Sequence, residues 1–216
     1  MAVVTLTKTF FPKHPKAGEE TRFRGKVLTG AKRHTCRPNY PHWKRVIEGI
    51  QAKGGVLSVR QWIGRPYHQP GQETVIEVPA DQVGVQLLEL RRERIVTEFF
   101  VEEQRTPFVK VISYEWTATV DGYNVPIDLL AENDGLTVED FKAWFAPAFN
   151  KAEKKYPALA AASPATIIEF AIIHFTKLRY GAAEHECTNT NPYGLKEYRD
   201  GCIQNCGDCD YNRPKE

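Results

Sequence analysis

The chain has 216 residues, of which 42% are hydrophobic, and this is enough to bury one good core. The start MAVVTLTKTFF carries no cationic region ahead of a long apolar run, and no window approaches the roughly 18 apolar residues of a membrane span. We therefore expect a cytoplasmic protein without a membrane partner.

The net charge of +2 hides an uneven distribution along the chain. Residues 1–65 hold 14 Lys and Arg against three Glu, whereas residues 66–216 hold 15 Lys and Arg against 24 acidic residues. Clustered cations favour a polyanionic partner, nucleic acid first, because they displace condensed counterions at phosphates. The alternative is a solvated basic surface that is balanced in space by the acidic later part of the chain.

The pattern of apolar residues predicts an α+β domain. Alternation of apolar and polar residues predicts strands over 3–11, 56–62, 74–90, 95–103, 108–122 and 166–176. Helical spacing of apolar residues predicts helices over 16–30, 41–55 and 136–149, the last capped by Thr137, and residues 150–164 are expected to form a solvent-facing helix or connector. Short strands with two or three helices between them indicate a small β-barrel surrounded by helices.

The segment GAKRHTCR (30–37) concentrates residue types that carry chemistry. The segment begins at Gly30, where the preceding helix is predicted to end, and it cannot extend a helix through Pro38. It is therefore predicted to be a loop or a bent edge strand. In extended geometry Lys32, His34 and Cys36 would face one side, and Arg33, Thr35 and Arg37 the other. A threonine hydroxyl becomes a nucleophile only beside a base such as a lysine of lowered pKa, and a carboxylate would have to orient the proton transfer.

This segment resembles the glycine-x-lysine-x-x-threonine-x-arginine signature of the ASCH domain, a relative of the PUA RNA-binding fold. AENDGLTVEDFKAWF (131–145) is similar to the acid-plus-helix segment of the same domain, and FFPKHPKAGE, LSVRQWIGRPY and AIIHFTKLRY are similar to segments of bacterial and phage-like ASCH proteins. The resemblance covers residues 1–180, with an insertion near 146–166. It implies a PUA-like barrel followed by a Cys-rich tail over 181–216.

The resemblance also implies an activity, because some ASCH enzymes are amidohydrolases that deacetylate acetylcytidine with a lysine, a threonine and a glutamate. The matching positions are Lys32, Thr35 and Glu132. Thr35 would attack the acyl carbonyl, Lys32 would accept the hydroxyl proton, and Glu132 would hold the lysine or pass the proton to the leaving amine. His34 and Arg37 would bind the nucleoside or a phosphate.

Aromatic residues lie between the cations of the first third of the chain and offer stacking surfaces for unpaired bases. Together with His34 and Arg37, the candidate nucleotide-binding residues are Tyr40, Trp62, Arg65 and Tyr67. Two classes of function follow. The first is an N-acyl nucleoside amidohydrolase without an organic cofactor, or less favourably a ribonuclease; the second is a non-catalytic module that binds RNA, DNA or a modified nucleoside.

The tail holds four of the five cysteines of the chain, Cys187, Cys202, Cys206 and Cys209. Four thiolates can close a tetrahedral zinc site, in which His185 could replace one cysteine, and the final C-x2-C pair supplies two ligands from one tight turn. The spacing is not that of a standard zinc ribbon, so an iron–sulfur cluster, disulfides or free thiols stay open as alternatives. A structural zinc site is the favoured interpretation, and the oligomeric state is left open.

Overall fold

The computed structural model describes residues 1–64, 68, 71–99, 109–157 and 163–181, and of residues 98, 99 and 109–111 it describes the backbone. The predicted α+β class is confirmed. The elements in chain order are β1 (Ala2–Leu6), α1 (Phe23–Leu28), β2 (His34–Arg37), α2 (Tyr40–Ala52), β3 (Val56–Trp62), β4 (Gln72–Pro79), β5 (Gly84–Phe99), β6 (Val109–Val120), β7 (Tyr123–Asn124), α3 (Ile127–Asn133), α4 (Val138–Lys155) and β8 (Ala165–His174). Across these ranges, no helix has the length and apolar character needed to cross a bilayer.

Local capping explains where the two long helices begin. The Asn39 side chain accepts a hydrogen bond from the His42 backbone N–H at 3.2 Å, just ahead of α2. The Thr137 hydroxyl accepts one from the Asp140 N–H at 3.1 Å and caps α4 as predicted. The helix predicted over 16–30 is shorter, since only α1 is helical there and Thr9 instead forms an isolated bridge with Glu20.

The strands form two sheets, and the predicted closed barrel is wrong for the described residues. One sheet has the order β1-β3-β4, with β1 parallel to β3, and the other has the order β2-β8-β5-β6-β7. At the junction, the Arg37 guanidinium of β2 donates to the Thr5 carbonyl of β1, so a side chain bonds where a barrel would need ladder hydrogen bonds. Barrel closure depends on this pairing between distant strands, which local alternation does not encode.

The core joins the helices to both sheets, since it includes Leu57 and Val59 of β3 as well as the buried residues of β5 and β8. Helix α2 contacts β5 and β8, while α4 contacts β8 through the ring pair Phe145–Phe170 at 4.8 Å between centroids. The last five residues of β8, Phe170–His174, are all buried, so both faces of this part of the strand are covered. This buried end of β8 lies beside β2, in register His34↔His174, and therefore fixes the position of the GAKRHTCR segment.

Candidate functional site

Strand β2 separates the side chains of the GAKRHTCR segment onto two sides, as the alternation predicts. On one side His34 and Cys36 approach Asp134, which follows α3, and their ligand-type atoms lie within 4.8 Å of one another. Lys32 reaches the same aspartate. On the other side the Arg37 guanidinium donates to the Thr35 hydroxyl at 3.1 Å. Lys32 and Thr35 therefore belong to two different environments.

Lys32 and Asp134 form a buried ion pair. The Lys32 Nζ donates to Asp134 Oδ1 and to the Asp134 carbonyl oxygen, both at 2.6 Å, and lies 4.2 Å from the centroid of the Phe23 ring. The side chains are 1% and 6% exposed. Burial lowers the pKa of Lys32 and raises the pKa of Asp134, so desolvation outweighs the mutual attraction that acts in the opposite direction.

Three further polar residues continue this buried cluster away from the ion pair. His34 Nε2 lies 2.8 Å from the Tyr180 hydroxyl, and the His34 and His174 rings meet edge to face with centroids 5.7 Å apart. His34 Nδ1 and both ring nitrogens of His174 are buried without a hydrogen-bond partner among the described residues. Burial holds the pKa values of His34 and His174 well below the usual value of 6.5, so both rings are neutral.

Arg37 and Thr35 join the two sheets and do not face the cleft. Besides the Thr35 hydroxyl, Arg37 donates to the Cys36 carbonyl at 2.9 Å and to the Thr5 carbonyl. Three acceptors from two strands occupy the guanidinium, and Thr35 is itself buried. The arrangement explains both residues as parts of the sheet junction, whereas a ligand-binding role for them stays a prediction.

A polar cleft of about 950 Å³ opens beside the GAKRHTCR segment. Its walls come from the turns around α1, from the start of that segment and from the α3–α4 connection. The residues that line it are Phe10, Lys16, Glu19, Glu20, Thr21, Arg22, Lys26, Gly30, Ala31, Arg33, Asp128, Leu129, Glu132, Asn133, Gly135, Leu136, Thr137, Val138, Asp140, Leu178 and Tyr180. Exposed Glu132 lines this cleft, whereas Lys32 and Thr35 do not, and the carboxylate that bonds to Lys32 is that of Asp134.

Lys32 nevertheless lies directly behind the wall of the cleft. Gly135 lines the cleft with φ at +72°, and a Cβ at this position would approach the Lys32 Cβ to 3.1 Å and the Lys26 Cδ to 3.2 Å. Lys26 Nζ donates to the Gly135 carbonyl at 2.7 Å. Two lysines therefore hold the Asp134–Gly135 turn, and a glycine is required where they come closest.

The charges of the cleft are nearly balanced. It is lined by the cations Lys16, Arg22, Lys26 and Arg33 and by the acids Glu19, Glu20, Asp128, Glu132 and Asp140. Lys16 and Asp140 form an ion pair at 2.7 Å, which raises the pKa of Lys16. The cleft thus differs from the uniformly basic groove that a nucleic-acid backbone favours.

The cluster of His34, Cys36 and Asp134 offers a nitrogen, a sulfur and an oxygen donor that could hold a metal ion. The Lys32 ammonium already donates to the same Asp134 carboxylate, so a cation is present beside the cluster. Burial raises the pKa of Cys36 well above its usual value and keeps the sulfur as a thiol, which is a poor metal ligand.

The remaining candidate residues are distributed over several parts of the chain. Tyr40 is at the start of α2 and packs against the core, and half-buried Trp62 ends β3. Arg65, Tyr67 and the four tail cysteines Cys187, Cys202, Cys206 and Cys209 lie outside the described residues. The proposed stacking residues therefore do not gather around the cleft within the part of the chain that the structure describes.

Sequence reasoning missed Asp134, Asn133 and Tyr180. Asp134 stands two residues after Glu132 in the same acid-plus-helix segment, and the following Gly135, with its positive φ, marks the turn that carries it. Asn133 and Tyr180 both line the cleft. Tyr180 gives no local signal, because it is 146 residues from His34, its hydrogen-bond partner.

No model of a known protein family matches this chain, and neither a curated protein nor a solved structure matches it. The resemblance to the ASCH domain therefore stands on the sequence motifs quoted above. What the protein does is inferred from the cleft and from the buried cluster behind it.

Proposed function

We propose that the protein binds a modified nucleoside, or the unpaired base of a nucleic acid, in the cleft beside the GAKRHTCR segment. The single observation that carries the proposal is the cleft itself, which is large enough for a nucleoside and is lined by donors and acceptors of both charges. The motif residues Gly30, Ala31 and Arg33 line one wall and Glu132 lines another. These are the two segments that resemble the ASCH domain, which also supports a PUA-like relationship for the fold.

The balance of charge favours a neutral nucleoside over a long phosphate backbone. Asp128 and Glu132 are acidic groups in the same cleft as Arg22 and Arg33, and each phosphate placed there would meet carboxylates as well as cations. A nucleobase, by contrast, presents donors and acceptors that match carboxylate, guanidinium and amide groups. N-acylated cytidine is the first ligand to try, because the ASCH resemblance implies it.

We expect acetylcytidine to bind the purified full chain, and Glu132→Gln or Arg33→Gln to weaken binding about 10- to 100-fold, since a hydrogen bond to a charged group contributes roughly 1.5–3 kcal/mol. Isothermal titration with cytidine, acetylcytidine and single-stranded RNA and DNA would measure this. Glu48→Gln and Arg45→Gln are matched controls, because both residues are exposed on α2 outside the cleft. If Glu132→Gln and Arg33→Gln bind acetylcytidine with unchanged affinity, the proposal that it binds in the cleft is refuted. Binding of oligonucleotides but not of nucleosides would favour the nucleic-acid module.

Removal of the acyl group is a second candidate function, and the Lys32–Asp134 pair is the observation that favours it. A lysine with a lowered pKa beside an orienting carboxylate is a candidate base, and it lies directly behind Gly135 in the cleft wall. In this arrangement Asp134 takes the orienting role assigned to Glu132. Binding is favoured over hydrolysis because Thr35 and Lys32 occupy different sides of β2. Release of cytidine from acetylcytidine, followed by chromatography, separates the two functions.

We also propose that the four tail cysteines bind a structural zinc ion, on the strength of their number and their final C-x2-C pair. One zinc per chain is expected in the purified protein by elemental analysis, and Cys206→Ser should lose it. Cys36→Ser is the matched control, since Cys36 is buried in β2 and is not one of the four tail cysteines. If Cys36→Ser loses the zinc and Cys206→Ser retains it, the ion is bound in the buried cluster instead. Visible absorbance and iron would indicate an iron–sulfur cluster.

A further inference from the structure

The β5–β6 hairpin extends beyond the rest of its sheet. Strand β8 pairs with β5 only as far as Glu93, whereas the β5–β6 ladder continues to the pair Phe99↔Val109. Beyond Arg94, whose N–H bonds to the Pro164 carbonyl, the described residues of the hairpin form a two-stranded ribbon. An isolated two-stranded ribbon is marginally stable in water, so this part of the sheet is incomplete by itself.

Among the described residues, the outer edge of β6 is also unpaired over most of its length. Strand β7 pairs with β6 only at Thr119 and Val120. Between Ile112 and Thr117, β6 pairs with β5 on one side, and within the described ranges no strand pairs with its other side. A row of free backbone N–H and C=O groups of this kind is a template for another strand.

Apolar side chains accompany this open edge. Ile112 is 52% exposed and Tyr114 is 46% exposed, and Val96, directly opposite Ile112 on β5, is 39% exposed. Residues that are opposite each other in an antiparallel pair share a face, so Val96, Ile112 and Tyr114 form one apolar strip along the edge. Soluble proteins usually protect an edge strand with charged residues or proline. Here Arg94 is opposite Tyr114, and the Arg92 guanidinium lies 4.6 Å from the centroid of the Tyr114 ring, so the cations lie on the β5 side and leave Ile112 and Val96 without a charged neighbour directly opposite.

We propose that two copies of the chain pair antiparallel through β6, about a two-fold axis at Ser113, and join their five-stranded sheets into one. An axis perpendicular to the sheet at Ser113 keeps each face continuous and places Ile112 opposite the partner's Tyr114, twice in the dimer. Apolar cross-strand pairs of this type stabilise a sheet.

A second copy fits this edge for two reasons. The two-fold axis pairs the β6 edge of both partners at once, so β6 is left open in neither copy. The net charge of only +2 for 216 residues also leaves little long-range repulsion between copies. Glu115 lies opposite a valine of the partner in this register, and no two like charges meet between residues 112 and 114.

The molar mass in solution, from light scattering after size exclusion, tests the proposal on the full chain. The wild type is expected to be a dimer, and Ile112→Lys should raise the dissociation constant at least tenfold. Ile167→Lys is the matched control, because Ile167 is 57% exposed on β8 and does not border the β6 edge. It should remain dimeric.

Ser113→Cys tests the register independently. Opposite Cα atoms in an antiparallel pair are about 4.5–5.5 Å apart, which a disulfide spans, so mild oxidation should yield a covalent dimer above the wild-type background from its own cysteines. A wild type that is monomeric at all concentrations, with no additional cross-linking of Ser113→Cys, overturns the proposal. A monomer whose β6 edge amides resist hydrogen exchange also overturns it and identifies a segment of the same chain as the occupant of the edge.

Discussion

Replacement of Lys32 by methionine is expected to lower the free energy of unfolding by about 3–5 kcal/mol, because it leaves a buried carboxylate without its ionic partner. In the native protein the Asp134 carboxylate accepts from the Lys32 ammonium at 2.6 Å, and both side chains are almost fully buried. Methionine fills most of the volume but donates nothing. Urea unfolding at pH 7.5, followed by far-UV circular dichroism, measures the loss.

The double variant Lys32→Met/Asp134→Leu is expected to recover most of that loss. Desolvation is the largest cause of the pKa change in both groups. Replacing a buried ion pair by apolar residues of similar volume is often neutral or stabilising, because it removes the desolvation of both charges together with their attraction. Lys44→Met is the matched control, since Lys44 pairs with Glu48 at 4.0 Å with both side chains about half exposed, and about 0.5 kcal/mol or less is expected. A loss of less than 1 kcal/mol in Lys32→Met would contradict the buried pair.

A pair that contributes little net stability can still be kept because it sets the shape of the cleft. Lys32 bonds to the Asp134 carbonyl, and its Cβ supports Gly135, which forms part of the cleft wall. If the double variant is as stable as the wild type but fails to bind acetylcytidine, the role of the pair is to position the turn. Both stability and ligand binding should therefore be measured on the same samples.

Local patterns were sufficient for the elements whose signals are local. The Thr137 cap, the apolar spacing of α2, the alternation of β3 and the apolar run of β8 each placed an element near its observed position. The closed barrel was wrong because it depends on β1 and β2 becoming neighbours in one ladder, and they instead belong to different sheets. Strand pairing between distant segments is set by tertiary packing, which no window of sequence contains.

In the candidate site too, local patterns predicted one part of the arrangement and tertiary packing set the rest. Alternation along residues 32–37 placed Lys32, His34 and Cys36 on one side, because an extended chain has only two sides. The choice between Glu132 and Asp134 as the partner of Lys32 depended on the turn geometry at Gly135, which a count of residues does not give. His174 and Tyr180 join the cluster through the β2–β8 pairing and the segment after β8, so only the fold could reveal them.

Acidification is expected to destabilise the protein below about pH 6.5, because His34 and His174 are buried in their neutral forms. Their folded-state pKa values are lowered, so the unfolded chain binds more protons as the pH falls through 6.5. Each histidine should then remove about 1.4 kcal/mol between pH 7.5 and 5.5. Nearby basic groups act in the same direction, since Lys32 lowers the pKa of His34, and His34 and Arg179 lower that of His174. The Asp134 carboxylate, 3.7 Å from His34 Nδ1, acts against them.

At alkaline pH the protein is expected to lose stability as the pH rises. Burial raises the pKa values of Cys36 and Tyr180 well above their usual values, so only the unfolded chain loses these protons as the pH rises past about 8.5–10. Stability is therefore expected to be greatest between about pH 7 and 8.5. Urea midpoints collected from pH 5 to 10 would trace this curve.

The His174→Phe variant tests whether His174 causes part of the stability loss between pH 7.5 and 5.5. Both ring nitrogens of His174 are buried without a partner in the described structure, so a phenyl ring replaces the imidazole without breaking a hydrogen bond seen there. The variant should lose about half of the stability change between pH 7.5 and 5.5, whereas His42→Gln, on the exposed face of α2, should keep all of it. If His174→Phe loses as much stability between pH 7.5 and 5.5 as the wild type does, the His174 ring is hydrated or protonated in the folded protein. In that case the ring would contact water, and the buried cluster behind the cleft would be open to solvent.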